Sequence, residues 1–594
     1  MEPATYYTEK ELHYTEQENI TRKKIAIFPF LRLASFAAAV AVFYIFFSYS
    51  IAIAIIAAVL CLVVFGIIIR RDLALQATAR HYAILKEINR QELAALKNDL
   101  SAFEGGKEFM SSDHPYTSDL DIFGKASLFR YINRTVSAIG KQTLASWLTS
   151  PAQAAEIKLR QQAINELKDK TGWRQEFRAN GMKQEKWQQG FEPIIEWLDE
   201  PELFLHKKAL QLACTILPFI TVPAVIGSFF FVPKIIPMVL VAAHIIILRQ
   251  HSKKVEKSWL KTSARVELLK TYAGLIATIE KEEFNSEKLS SLKRAFVLRD
   301  KPASATLRYL SKVVDRLDLR LNVYVYPFIN ILLFWDIHWI TKLEKWKNDH
   351  HAQVQKWFSA MAEFEALSSL GNLYYNNPDW TMPEISEDAF IVKAQTMGHP
   401  LIPANKRVYN DIGLSGRGSV MLITGSNMAG KSTYLRTVGV NIVLAMAGAP
   451  ACAKNFVLSP IDVYTSMRII DSLEENASSF YAELKRLESI IKSVKNNTRS
   501  FFLLDEILRG TNSNDRHIGS KALIKQMIRY KGTGIIATHD LELSKLENEL
   551  PVQNFSFDVQ VENDQLYFDY KLHHGVCRSL NASILMRKMG IEIE

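Results

Sequence analysis

From Leu33 to Ile69 the chain carries no charged residue. That run suffices for two membrane crossings turning near Ser48-Tyr49-Ser50. Its second half, Ile51 to Ile69, would rise about 28 Å as a helix, close to the thickness of a bilayer's hydrocarbon core. The first half is shorter and needs part of Ile25 to Arg32, with Arg32 snorkelling toward the interface. A second apolar pair follows, Ala209 to Val232 and Ile235 to Leu248, broken by Pro233, Lys234 and Pro237. Its short second arm leaves a spanning, a re-entrant and a buried core hairpin open; the run length favours spanning. Basic residues flank both pairs on their outer ends: Arg22, Lys23, Lys24, Arg70 and Arg71, then Lys207, Lys208, Arg249, Lys253 and Lys254. The positive-inside rule therefore puts both termini and everything outside the hairpins in the cytoplasm. The first hairpin is too long and too internal for a cleaved secretory signal.

Elsewhere the period is helical until late in the chain. Residues 1–24 form a polar tail expected to be loosely ordered, and 25–71 the first hairpin. Residues 72–206 form a helical core region. Within it, Leu73 to Phe103 is charge-rich, and one amphipathic helix between Ser118 and Pro151 carries Leu128, Tyr131, Ile132, Val136, Leu144 and Leu148. Residues 207–250 form the second hairpin. Residues 251–378 hold long lever-like helices, Val255 to Ile279 and Val313 to Leu370. Tyr326 to Ile340 is apolar, but Pro327, Asn330, Asp336 and His338 make lipid costly, so a buried packing helix with His338 as a hydrogen-bonded core residue is expected. At Asn376-Asn377-Pro378 the pattern turns to mixed strand and helix, which opens a catalytic domain over 379–594.

Composition adds limits. The 594 residues, 48% of them hydrophobic, allow two to four domains. The net charge of +10 is matched by the basic membrane flanks together with Arg32, so it is poor support for a nucleic-acid partner. Four scattered cysteines, Cys61, Cys214, Cys452 and Cys577, lack metal spacing and suggest neither disulfide nor zinc.

The chemistry lies in the last third. Gly425, Ser426, Asn427, Met428, Ala429, Gly430, Lys431, Ser432 and Thr433 fit the phosphate loop G-x-x-x-x-G-K-[ST]. A strand-like run, Val420 to Thr424, leads in and a helix-like run, Thr433 to Met446, leads out. Backbone N–H groups would surround a polyphosphate, Lys431 would reach the β- and γ-phosphates, and Ser432 would hold Mg²⁺. An apolar strand, Phe501 to Leu504, ends in Asp505 and Glu506. Asp505 suits Mg²⁺ and Glu506 suits polarising the attacking water. A third strand, Gly534 to Thr538, runs into His539, placed to sense the γ-phosphate or orient that water. Ser478 and Ser479 open a helix with an apolar stripe of Phe480, Leu484, Leu487, Ile491 and Val494; by themselves they read as a helix cap.

In this order the motifs resemble those of the MutS family of DNA mismatch-repair ATPases. Thr424 to Thr433 resembles its phosphate loop, with Asn427-Met428 inside. Leu504 to Thr511 resembles its Walker B strand and following loop, Ala537 to His539 its switch histidine, and Ser478 to Leu484 its signature helix. Gly575 to Gly590 is similar to the segment closing the ATPase domain. Asp119 to Pro151, with Thr135, Gly140 and Trp147, is similar to the start of the family's core helical domain. The resemblance implies an α/β P-loop ATPase domain of the ABC/MutS type after an all-α core and lever region. It implies ATP and Mg²⁺ as cofactors, a homodimer through the ATPase domains with Ser478 acting in trans, and duplex DNA as a possible partner. Three features depart from it. No G-x-F-x-E mismatch-reading segment is found, and the second hairpin sits near where the family inserts a DNA clamp. The position of its adenine-stacking aromatic is taken by Arg407, with Tyr409 nearby; Tyr570 is a further candidate. Two functions are expected from this pattern: a membrane-anchored ATPase coupling dimer closure to DNA, or a membrane sensor or remodelling ATPase that does not read mismatches, with lipid as partner.

Overall fold

The computed structural model describes residues 2–183, 192–298, 301–387, 390–426, 428–468, 479–562 and 565–577. Three long helices come first: α1 (Pro3–Ile25), α2 (Phe28–Phe47) and α3 (Ile51–Leu96). The turn between α2 and α3 falls at Ser48–Ser50, as the pattern predicts. The polar N-terminal tail, however, is ordered as α1 and packs along α3. Tyr7 is fully buried and its hydroxyl donates to Asn376 at 2.7 Å, while Glu18 accepts from Lys86 at 2.5 Å. Arg32 pairs with Asp72 of α3.

The helical region continues with α4 (Leu128–Ile132), α5 (Ala138–Thr149), α6 (Ala154–Asp169), α7 (Thr171–Gly181) and α8 (Glu192–Asp199). The expected single amphipathic helix is therefore two, because Ser137 caps α5 by accepting from the Gly140 N–H. Next come α9 (Lys208–Gly227) and α10 (Ile235–Lys281), the latter absorbing the stretch expected as a separate helix over Val255 to Ile279. Then follow α11 (Glu287–Arg294), a small hairpin of β1 (Val297–Leu298) and β2 (Lys301–Pro302), α12 (Ala303–Leu317), α13 (Tyr326–Leu333) and α14 (Trp335–Asn376).

Val313 to Leu370 is thus not continuous. Asn322 accepts from the Tyr324 and Val325 N–H groups, Pro327 starts α13, and Phe334 takes a left-handed φ of 49° between α13 and α14. No residue of α13 is buried and His338 is exposed, against the expected buried helix and core histidine.

Four helical stretches, in Pro3–Phe47, Ile51–Leu96, Lys208–Gly227 and Ile235–Thr262, are long and apolar enough to cross a membrane. Their most apolar windows are only 6% to 11% buried. Among the described residues, the second pair is therefore largely uncovered by the rest of the chain.

After α14 the chain builds two sheets. One comprises β3 (Glu384–Ile385), β4 (Ile391–Met397), β5 (Asn410–Ser415) and β7 (Asn455–Leu458), in the order β3-β7-β4-β5. The other comprises β6 (Val420–Gly425), β8 (Asp462–Ser466), β9 (Ser500–Asp505), β10 (Thr533–Thr538), β11 (Val552–Glu562) and β12 (Gln565–His574), in the order β12-β11-β6-β10-β9-β8. All neighbours in the second sheet are parallel except the edge strand β12.

Successive side chains of a strand face opposite sides. Met421, Ile423, Phe501, Leu503, Ile535 and Ala537 join the core that includes α15 (Lys431–Ala447) and the helical region. Val420, Leu422, Phe502, Leu504 and Ile536 join the core under α16 (Ser479–Asn496) and α17 (Ser513–Arg529). Burial on both faces explains why these strands read as unbroken apolar runs. The buried stripe of α16 is Leu487, Ile490 and Val494; Leu484, expected in it, is largely exposed. Asp119 ties the helical region to this sheet by accepting from Thr465 Oγ1 and from the Met467 and Arg468 N–H groups.

Candidate functional site

The parallel register sets the site. Thr538 pairs with Thr424, and Ala537 with Asp505, so β6, β10 and β9 end level, with β10 in the middle. Whatever follows each strand emerges at one sheet edge, where ligands of such sheets bind.

After β6 the loop needs two glycines. Gly425 and Gly430 have φ of 153° and 110°, and a Cβ on Gly425 would sit 2.7 Å from the Phe557 carbonyl oxygen. Gly430 caps α15, whose first residue is Lys431, 5% exposed. Its Nζ donates to the Gly425 and Ser426 carbonyls at 2.8 and 2.9 Å and lies 3.3 Å from His539 Nε2. Burial lowers its pKa, against the pull of Glu506 and Asp505.

After β9, Glu506 has φ of 51°, a strained backbone of the kind that gathers at functional sites. Its N–H donates to the Ala537 carbonyl at 2.9 Å, and its Oε1 meets His539 Nε2 at 2.6 Å. The hydrogen bond from His539 holds its carboxyl at about 2, with Arg509 and Lys431 adding to the effect. Asp505 is pushed up by burial, opposed by the Ser432 hydroxyl and Arg509. Its Oδ1 is buried and has no hydrogen-bond partner among the described residues.

Sequence reasoning missed two residues here. Arg509 folds back on the carboxylates: Nε lies 3.3 Å from Glu506 Oε2 and Nη2 donates to the Asp505 carbonyl at 3.2 Å. Glu483 of α16 accepts from the Leu508 and Arg509 N–H groups at 2.5 and 3.2 Å, fixing the loop that carries Arg509. A cation three and four positions after paired carboxylates was the available signal for Arg509. Nothing local flags Glu483, whose partners are 25 and 26 residues away.

Of these groups, Lys431, Ser432 and Glu506 border a cavity of about 430 Å³. Ser426, Met428, Gly430, Thr433, Tyr570, His399 and Lys406 also line it. Ala429 is buried beneath the loop. Tyr570 stacks on Phe568 at 5.9 Å. Burial, with Arg436 and Arg407 nearby, lowers the His399 imidazole to about 4. Arg407 is not available to a ligand there, because it donates to the Ile402 and Pro400 carbonyls and to Cys452 Sγ. Tyr409 does not line the cavity either; its carbonyl accepts from Lys571. Asn427 and Ser478 lie outside the described residues, as does Gly575 to Gly590 beyond Cys577.

The family model for MutS domain V matches residues 421–588, and that for MutS domain III matches residues 110–187. The chain carries MutS domains III and V. Domain V is the ATPase domain, so this is an α/β P-loop ATPase unit behind a helical region. The chain is 32% identical over 239 residues to the DNA mismatch repair protein MutS of Thermotoga maritima, covering 39% of this chain and 28% of that protein. It is 33% identical over 223 residues to the DNA mismatch repair protein MutS of Fusobacterium nucleatum, covering 36% and 24%. It is 32% identical over 218 residues to the mouse MutS protein homolog 4, covering 35% and 22%. These matches span about a quarter of the relatives' own length.

Proposed function

We propose that this chain is a Mg²⁺-dependent MutS-type ATPase, anchored in a membrane by its four long apolar helices with the ATPase domain on the cytoplasmic side, and that nucleotide turnover moves the helical region. One observation carries the reading: Lys431, Ser432, Asp505, Glu506 and His539 converge on one sheet edge beside a nucleotide-sized cavity.

In this reading Lys431 leaves the Gly425 and Ser426 carbonyls for the β- and γ-phosphates, and the N-terminus of α15 adds its dipole to their binding. Ser432 and Asp505 fit Mg²⁺: a hydroxyl beside a buried carboxylate oxygen without a partner is a hard-cation donor set. The bound ion would supply neutralisation of phosphate charge. His539 turns from Glu506 toward the γ-phosphate, which frees Glu506 to polarise the attacking water. The His539 hydrogen bond is the largest influence holding the Glu506 carboxyl low, so the turn of His539 would also raise the basicity of Glu506 toward the water. Tyr570 would stack on adenine. Residues Gly425 to Thr433 would cradle the phosphates, and Ser478 would complete the site across a head-to-tail homodimer.

The relatives are named for DNA mismatch repair, so duplex DNA is the first partner for the moving helices. A second reading, a membrane sensor or remodelling ATPase, is favoured by the continuity of α3 and α10, which run unbroken from apolar segments into the helical core. ATP turnover with matched duplex, mismatched duplex and liposomes, compared side by side, separates the two. Stimulation by duplex that fades with salt supports the first, and stimulation by liposomes alone supports the second. No Mg²⁺-dependent turnover under any condition would remove both.

A further inference from the structure

We infer that α13 and its flanks form a membrane-interface foot at the base of α14, with the exposed apolar edge from Val323 to Leu333 inserted among phospholipid headgroups and upper acyl chains. This rests on the membrane reading above and adds a fifth contact element to it.

The segment is apolar yet uncovered. Val323, Tyr324 and Phe328 are 77%, 87% and 70% exposed, and no side chain of α13 is buried. Eight residues rise about 12 Å as a helix, far short of a hydrocarbon core, so the element can lie in an interface but cannot span. Its polar groups are satisfied inward. Tyr326 Oη donates to Asp336 Oδ2 at 2.6 Å, Asn330 Nδ2 donates to the same oxygen at 3.2 Å, and the Asp336 N–H donates to Asn330 Oδ1 at 3.1 Å. What remains outward is hydrocarbon and one phenol.

The occupant follows from what surrounds this edge. The foot packs on both arms of the second apolar hairpin, α9 and α10. His244 of α10, fully buried, fixes the join: its Nδ1 donates to the Ile331 carbonyl at 2.7 Å and its Nε2 accepts from Thr221 of α9 at 3.0 Å. The exposed edge is therefore rigidly continuous with helices whose bare apolar surface already calls for lipid. An open apolar groove of about 600 Å³ lies between Pro218, Phe219 and Val222 of α9 and Leu333 and Trp335 beside the foot, a lining suited to an acyl chain. Directly after α13 the residue types switch to those enriched at the edge of a bilayer. Trp335 donates to the Arg316 carbonyl at 2.8 Å, and Trp339 carries Lys342 at 4.3 Å and Arg316 at 5.9 Å over its ring. A protein partner would not call for this belt of tryptophan and cation beside a lipid-long hairpin.

The consequence is mechanical. Helix α14 has 42 residues, about 63 Å, and runs from Trp335 at the foot to Asn376 at the entrance to the ATPase domain. A displacement at the ATPase end would reach the bilayer through one rod.

The test uses the full chain, with Cys61→Ser, reconstituted in phosphatidylcholine/phosphatidylglycerol vesicles, with single nitroxide labels at Phe328→Cys, Val59→Cys and Lys521→Cys. ATP turnover of each labelled protein checks the fold. Collision with oxygen reports lipid, and collision with a nickel chelate reports water. The expected result is an oxygen preference at 328 approaching that at 59, with 521 in water. An oxygen preference at 59 but nickel access at 328 would overturn the foot and leave the membrane reading standing. Protection of 328 from both agents would overturn it in favour of a protein-covered face. Nickel access at both 59 and 328 would overturn the membrane reading and the inference together.

Discussion

Lys431 donates to the carbonyls of its own loop, and His539 pairs with Glu506. Substitutions at Lys431 and at Glu483 should change binding and turnover differently. Lys431→Ala should weaken ATP binding by at least tenfold, read with a fluorescent nucleotide, because no other described cation replaces its contacts in the loop; unchanged affinity would remove Lys431 from phosphate binding. Glu483→Ala should leave ATP binding nearly intact and slow turnover, since it frees the Leu508 and Arg509 amides and lets Arg509 leave the carboxylates. A parallel loss of affinity would show that Glu483 supports the whole loop instead. A third titratable residue lies far from the site. Glu365 of α14 is buried and accepts from the Ser137 N–H, the Ser137 hydroxyl and the Val136 N–H, yet burial raises its carboxyl from 4.5 to about 7. The native state thus holds this proton more tightly than the unfolded chain. Stability from this group is full below about pH 4.5 and is lost as pH rises through about 7, by roughly 3 kcal/mol at most. Glu365→Gln should remove that component from the pH dependence of the thermal midpoint between pH 5 and 8. The same slope in both proteins would contradict it.

Elements were legible in the sequence where burial is uniform and obscure where it depends on distant contacts. The phosphate-loop strand, the strand ending in Asp505 and the strand before His539 are apolar on both faces, so their ends could be placed from sequence alone. Helix α1 could not: its polar surface gives no stripe, and its order comes from Tyr7 reaching Asn376 and from Glu18 reaching Lys86. Helix α13 misled in the opposite direction, because apolar composition does not say whether protein or something else covers it. Helix α15 shows how tightly a legible element can be docked. A Cβ at Gly439 would lie 2.7 Å from Leu120 and 2.9 Å from Leu503, the first in the helical region and the second in β9. Gly439→Val should lower unfolding stability by about 1–3 kcal/mol through overpacking, measured by chemical denaturation. An unchanged midpoint would mean that α15 shifts freely against its neighbours.

At the scale of the whole molecule, one core joins the helical region to the ATPase sheet, running from Tyr116 and Leu120 through α14 to Met421, Leu503 and Phe557. A buried ionic knot ties the first apolar hairpin to it. Glu92, near the end of α3, meets Arg134 Nε at 2.5 Å and Arg178 Nη1 at 3.2 Å and accepts from Asn372 of α14 at 3.1 Å. Burial alone would raise its carboxyl, but the two guanidiniums outweigh burial and hold it at about 2. Glu92→Ala would leave two cations buried without their anion and should cost about 3–5 kcal/mol, seen as a lowered unfolding midpoint; a loss under 1 kcal/mol would show that the knot does not fasten α3. The claim on which this arrangement depends is that the sheet edge hydrolyses ATP. The most direct measurement is ATP binding and steady-state turnover by the full chain and its Glu506→Gln variant, in Mg²⁺ and in excess chelator. The account predicts Mg²⁺-dependent turnover that falls by about 10²-fold or more in the variant, with ATP still bound; equal turnover by the two proteins would contradict it.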